Sequence, residues 1–195
     1  MAKHKTNVKN YTSLQIIERV ESLPTFKGWV KGKYSFWVRS SEDAFNEFDD
    51  KAYNFECLQE GKRPVFKSVN TGTTNAGKEG LLNFQKYKLS GCAILKSDYM
   101  VYGSHGWGMS KGKIAYRQIK PWPYFRDNNK NKKSEEYGKE YNNIIHAHQH
   151  GAGVASTQID GWSIACLVRN IQKEYQDWLA FMNKEVCNTA ILNEW

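Results

Sequence analysis

From about residue 53 to residue 125 the chain is a succession of short β-branched and aromatic runs cut by turn residues, and this constrains its fold most. Val65-Phe66-Lys67-Ser68-Val69, Cys92-Ala93-Ile94-Leu95, Asp98-Tyr99-Met100-Val101-Tyr102 and Ile114-Ala115-Tyr116-Arg117-Gln118-Ile119 have the length and composition of strands. Asn70-Thr71-Gly72-Thr73-Thr74-Asn75-Ala76-Gly77 is a dense turn signal after the first of them. Short strands joined by Gly-rich turns point to a β-rich domain. Further strands are expected at residues 34–39, 143–150 and 190–192.

Helical spacing is confined to a few places. Leu14, Ile17 and Val20 give a short amphipathic helix over residues 11–21, with Ser13 as N-cap. Ser40-Ser41-Glu42-Asp43 reads as a capped start for a helix carrying Ala44, Phe45 and Phe48, and residues 134–141 as another short helix. Leu167, Ile171, Tyr175, Trp178 and Met182 recur at intervals of three and four, which predicts a helix over residues 167–182. The expected class is mostly β (α+β). Its domains are a basic arm and helix at 1–30 and a single domain at 31–195.

The formal net charge of +8 suits an anionic partner such as nucleic acid, a phosphate-rich polymer or an anionic cell wall, and equally suits simple solubility. The basic start, Lys3 to Lys9, has no apolar stretch behind it, so no secretory signal is read. No run reaches membrane-spanning length. The expectation is a protein made in the cytoplasm and reaching any cell-wall substrate by lysis or another export route. Cys57, Cys92, Cys166 and Cys187 form no Cys-x-x-Cys pair, and a chain this long folds without disulfides, so reduced thiols are expected.

The chemistry concentrates between His150-Gly151 and Cys166. A thiol attacks as thiolate, and a nearby imidazole is the usual means of making one. If the last helix begins at Cys166, its first N–H groups favour the thiolate and an oxyanion on the attacked acyl group. His150 is then the general base, and Ser163 orients the imidazole or caps the helix. A cysteine before an apolar helix is also a common small core residue, the reading kept for Cys57, Cys92 and Cys187.

His150-Gly151, the gap, and Ser163-Ile164-Ala165-Cys166 resemble the His-Gly and Ser-His-Gly-Cys elements of the L,D-transpeptidases, with Ile164 and Ala165 where that family has His and Gly. Thr73-Thr74-Asn75-Ala76-Gly77 is similar in place to the family's Thr-Pro-Gly turn, and Arg169 lies one residue beyond the family's Arg. The resemblance covers about residues 60–195. It implies an L,D-transpeptidase-like β-sandwich with a helix after the catalytic cysteine, and acyl transfer or hydrolysis on peptidoglycan stem peptides without metal or other cofactor. Cys166 would form a thioester, with Gly151, Trp162, Arg169 and His148 binding substrate. A phage-associated peptidase or an exported effector fits such a chain.

Two other readings stand beside it. His146, His148 and His150 alternate, so on one strand all three imidazoles share a face and can hold zinc. His146-Ala147-His148 with Ser156 and Asp160 resembles the JAMM metallopeptidase site, with Glu79 as the upstream acid. The second reading is a nucleic-acid binder in which Trp107, Tyr116, Trp122, Tyr124 and Phe125 stack bases among Lys111, Lys113, Arg117, Lys120 and Arg126.

Overall fold

The computed structural model describes residues 8–153 and 156–195, and there the chain is mostly β, as expected. Strands β1 (Gly32–Arg39), β2 (Asp50–Cys57) and β3 (Val65–Thr73) form a meander. Helix α2 (Lys78–Asn83), β4 (Cys92–Leu95), β5 (Tyr99–Ser110), β6 (Lys113–Gln118) and β7 (Trp122–Asp127) follow. Then come β8 (Tyr141–Asn143), β9 (Gln149–Gly151), β10 (Leu167–Arg169), α3 (Gln172–Met182) and β11 (Cys187–Asn193).

Eight strands close into a barrel in the order β1-β11-β5-β6-β9-β10-β3-β2, and β4, β7 and β8 form a separate sheet. The strands therefore do not stack as the two-sheet sandwich expected from the family resemblance. The long β5 turns a corner at Gly103 (φ 61°), and its register against β11 shifts between Cys187 and Thr189. An irregularity of this kind bends a strand and lets a sheet curl onto itself, which removes exposed edges. Two pairs are parallel, β1 with β11 and β9 with β10.

Residues before β1 are part of this body. Helix α1 (Ser13–Glu21) is capped by Thr12 rather than Ser13: Thr12 Oγ1 accepts from the Gln15 N–H at 3.2 Å, and Gln15 Oε1 accepts from the Thr12 N–H at 2.8 Å. Ile16, Ile17 and Val20 pack with Tyr34, Phe36, Phe55 and Leu192 in one apolar cluster that also takes in Val8 and Trp29. The segment from Val8 thus packs on the outer face of the barrel, on the side of β1 opposite Ser35 and Trp37, while Lys3 and Lys5 lie outside the described residues. No helix among the described residues is long and apolar enough to cross a membrane.

Three sequence expectations fail because side chains capture the backbone. The helix at 40–48 is absent: Asp50 accepts from the Ser40 N–H and Asp49 from the Ala44 N–H, and Asp43 and Asn46 are left-handed. Residues 134–140 are irregular because Asp43 and Asp127 accept from the amides of Ser134 and Glu135. The strand over 143–150 is broken, since Gln118 Oε1 accepts from both the Ile145 and Ala147 N–H groups and His146 turns to φ 62°. Finally, α3 begins only at Gln172, because Leu167–Arg169 is used as a strand between β9 and β3.

Candidate functional site

The parallel register pairs Leu167 with Gln149, Val168 with His150 and Arg169 with Gly151, and the Leu167 N–H donates to the His148 carbonyl at 3.0 Å. Side chains alternate across a strand, so His148, His150 and Cys166 fall on one side of this pair, and Gln149, Leu167 and Arg169 on the other. The first three line one cavity of about 710 Å³, within the range of roughly 300–1,000 Å³ typical of small-ligand sites. Helix α3, the β5–β6 hairpin and the loop at 161–166 supply its walls.

Cys166 is the one described cysteine that is not buried; Cys57, Cys92 and Cys187 are all enclosed. Its thiol donates to the His146 carbonyl at 3.8 Å. Desolvation pushes the thiol up from its ordinary pKa, opposed by the His148 backbone and by Lys111. The expected helix entrance is not there, since β10 intervenes before α3, so no helix dipole stabilises a thiolate. Ser163 is fully buried and donates to the Cys166 carbonyl at 2.8 Å, which makes it a clasp for the loop rather than a partner of an imidazole. Behind it the Gly77 N–H donates to the Ser163 carbonyl at 3.0 Å, and a Cβ at Gly77 would lie 2.3 Å from the Asp160 carbonyl oxygen. The turn at 73–77 therefore packs directly against the cysteine loop.

The two imidazoles are held in opposite tautomers. His150 Nδ1 lies 3.0 Å from the Gly151 carbonyl, which only accepts, so the neutral ring carries its proton on Nδ1 and Nε2 is the unprotonated nitrogen, with the Trp162 backbone carbonyl a second acceptor beside the ring. His148 Nδ1 accepts from the Gln118 N–H at 3.2 Å, so its proton is on Nε2. Burial pushes His148 down to about 4, with His146 and Arg117 adding to the effect. Burial also lowers His150, and the Lys111 and Lys113 charges act in the same direction against the Gly151 and Trp162 backbone carbonyls. Both rings are therefore neutral at neutral pH: His150 can accept a proton, and His148 can only donate one.

Gly151 is required by close approach. A Cβ there would meet the Tyr175 ring at 2.5 Å, so α3 can lie on β9 only over a glycine. Gly151→Ala is expected to push Tyr175 outward, break its hydroxyl's bond to the Ile114 carbonyl (2.9 Å) and cost about 1–3 kcal/mol, read by thermal unfolding. Trp162 lines the cavity, with the Lys113 ammonium 5.4 Å from its ring centre.

Arg169 is a correction. The alternation of β10 turns it into the barrel, where it is 0% exposed and bonded to Asn70, Gln149, Ser35 and Asn54, so it does not bind substrate. The zinc reading loses its basis too. The three histidines do not share a strand, and among the described residues no group of three or more His, Cys, Asp or Glu side chains is placed to hold a metal ion. Asp160 instead accepts from Asn46, and Ser156 donates to the Gln158 carbonyl. The base-stacking platform is likewise mostly core, since Tyr116, Trp122 and Tyr124 are buried.

Sequence reasoning named Lys111 and Lys113 only as part of a nucleic-acid surface and did not place them at the edge of the cysteine cavity, and it missed Gln172 on the α3 face beside them. The Lys111-Gly112-Lys113 turn between two strand-like runs was the available signal. Comparison with protein-family models, with curated proteins and with solved structures finds no match to this chain.

Proposed function

We propose that the chain is a cysteine-nucleophile enzyme of the L,D-transpeptidase-like type, acting by acyl transfer or hydrolysis on peptidoglycan stem peptides. The observation that carries this reading is the shared cavity: the one accessible thiol faces it together with an imidazole whose tautomer leaves a basic nitrogen. The raised thiol and lowered imidazole mean that no ion pair is stored at rest, so the proton moves from Sγ to His150 Nε2 as the substrate carbonyl arrives. Sulfur then bonds to the carbonyl carbon, and the His148 Nε2–H is a side-chain donor for the oxyanion. His150 returns the proton to the departing amine, leaving a thioester that an amine or water resolves.

Two measurements test it. Low-dose iodoacetamide at neutral pH with peptide mapping is expected to label Cys166 before the three enclosed cysteines, and His150→Ala is expected to slow that labelling. Stem-peptide turnover followed by mass spectrometry is expected to fall by at least about 100-fold in Cys166→Ser and in His150→Ala. Turnover that survives Cys166→Ser intact sinks the proposal, as does a thiol whose labelling ignores His150.

A further inference from the structure

The β5–β6 hairpin brings two cations to the cavity that the chemistry above does not use. Lys111 (φ 48°) and Gly112 (φ 75°) are both left-handed, the two-residue turn that suits the twist of a hairpin, with Ser110 paired to Lys113 across it. Lys111 and Lys113 both line the cavity, and among the described residues neither is in an ion pair. Among the described residues no Asp or Glu lines it. A cleft with one sign of charge and low-dielectric walls concentrates ligands of the opposite sign. Both lysines act on His150 and Lys111 also on Cys166, so an anion held at the hairpin tip sits within electrostatic reach of the reacting groups.

We propose that Lys111 and Lys113 select peptides bearing a free carboxylate close to the bond that Cys166 attacks; the inference rests on this cavity being the substrate site. Trp162, already beneath the Lys113 ammonium, supplies an apolar face for the residue that carries the carboxylate. Docking the carboxylate also cancels the two charges that oppose protonation of His150, so the base strengthens when the right substrate is seated.

The thiol itself supplies a probe. Iodoacetate and iodoacetamide deliver nearly the same reactive group with and without a negative charge. Relative to 2-mercaptoethanol, Cys166 is expected to favour iodoacetate by about tenfold at low salt, with the preference shrinking as salt rises. Lys111→Gln with Lys113→Gln is expected to abolish the preference, read as the ratio of the iodoacetate to the iodoacetamide rate so that any change in the thiol's own reactivity cancels. In parallel, an N-acetyl dipeptide acid and its C-terminal amide are titrated against the imidazole resonances of the full chain. The acid is expected to shift the His148 and His150 signals, and the amide or the double variant is not. A Cys166 that labels without charge preference, or acid and amide that bind alike, overturns the carboxylate site and leaves the nucleophile standing. A Cys166 inert to both reagents with lysine-dependent acid binding supports the carboxylate site and removes the nucleophile instead.

Discussion

Arg169→Ala is expected to lose about 3–5 kcal/mol of stability, enough to bring a domain of ordinary stability close to unfolding. The guanidinium ties five elements together. Its Nε donates to Asn70 Oδ1 at 3.0 Å on β3, and Nη1 to Gln149 Oε1 at 3.3 Å on β9. Nη2 donates to Ser35 Oγ at 3.2 Å on β1 and to Asn54 Oδ1 at 3.3 Å on β2. The Trp178 ring of α3 lies 3.7 Å from its central carbon. Neutral dipoles and ring faces surround the charge, and the Glu174 carboxylate acts on it electrostatically. Burial lowers its pKa to about 9, which still leaves it cationic at neutral pH. Desolvation costs several kcal/mol, whereas hydrogen bonds from a charged donor return about 1.5–3 kcal/mol each and a buried cation–π contact about 2. Alanine forfeits all of these and leaves a void, while Arg169→Met restores volume without charge and is expected to recover part of the loss. Urea unfolding of the three chains checks the order. If the methionine chain equals the parent, the polar network contributes nothing beyond the space it fills.

The all-round β character was legible because strand composition and turn residues are local signals, and β3, β4, β5, β6 and β11 lie close to where their sequences place them. Barrel closure was not legible. It depends on the β9–β10 pairing across the loop that carries Trp162 and Ser163, and on a two-residue register shift of β5 around Gly103. The false helix at 40–48 shows the limit of capping patterns. Ser40 and Asp43 look like cap residues, yet Asp49 and Asp50 outcompete the helix for the amides of this loop. Residues 167–169 show the limit of periodicity, because Leu167 and Val168 satisfy a helical face and a two-sided buried strand equally well.

The candidate site was half legible. His150, His148, Trp162 and Cys166 were found because their residue types carry chemistry, and they do meet in one cavity. The reason they meet differs from the one read in the sequence: parallel strand register sets them on one face, and no helix entrance is involved. Arg169 was misplaced because its charge pointed to a ligand, whereas the phase of β10 decides its direction. Lys111 and Lys113 were read with a nucleic-acid surface and not with this site, because a charged hairpin tip has the same composition whether it faces solvent or a cavity mouth.

Asp49→Asn is expected to stabilise the protein at about pH 8 and to flatten the fall in stability above neutrality. Asp49 is 1% exposed; its Oδ2 accepts from the Ala44 N–H at 2.8 Å, and its Oδ1 has no partner. The adjacent Asp50 accepts from the Ser40 N–H and from both the N–H and the hydroxyl of Thr74, the donor set of an ionised carboxylate. Desolvation, and then the Asp50 charge, push Asp49 up to about 8. A carboxyl raised above its unfolded value contributes stability that is complete below the unfolded pKa and is lost as pH rises through the folded one. Asp43, Asp50 and Asp127 are shifted the same way, mainly by burial. His105, His148 and His150 are lowered by burial, so their contribution is lost in the other direction, as pH falls below 6.5. Between about pH 6.5 and pH 8 the raised carboxyls pull stability down while the last of the unfolded-state histidine titration still adds a little, and Asp49 contributes on the order of 1–2 kcal/mol of the fall at 1.36 kcal/mol per unit. The loss falls on the site, because Asp50 holds Thr74 and Asp43 holds Asn75 in the turn that Gly77 ties to Ser163. Denaturant midpoints at the two pH values, with and without the asparagine, decide the matter: parallel slopes in the two chains mean that Asp49 is not the group that titrates.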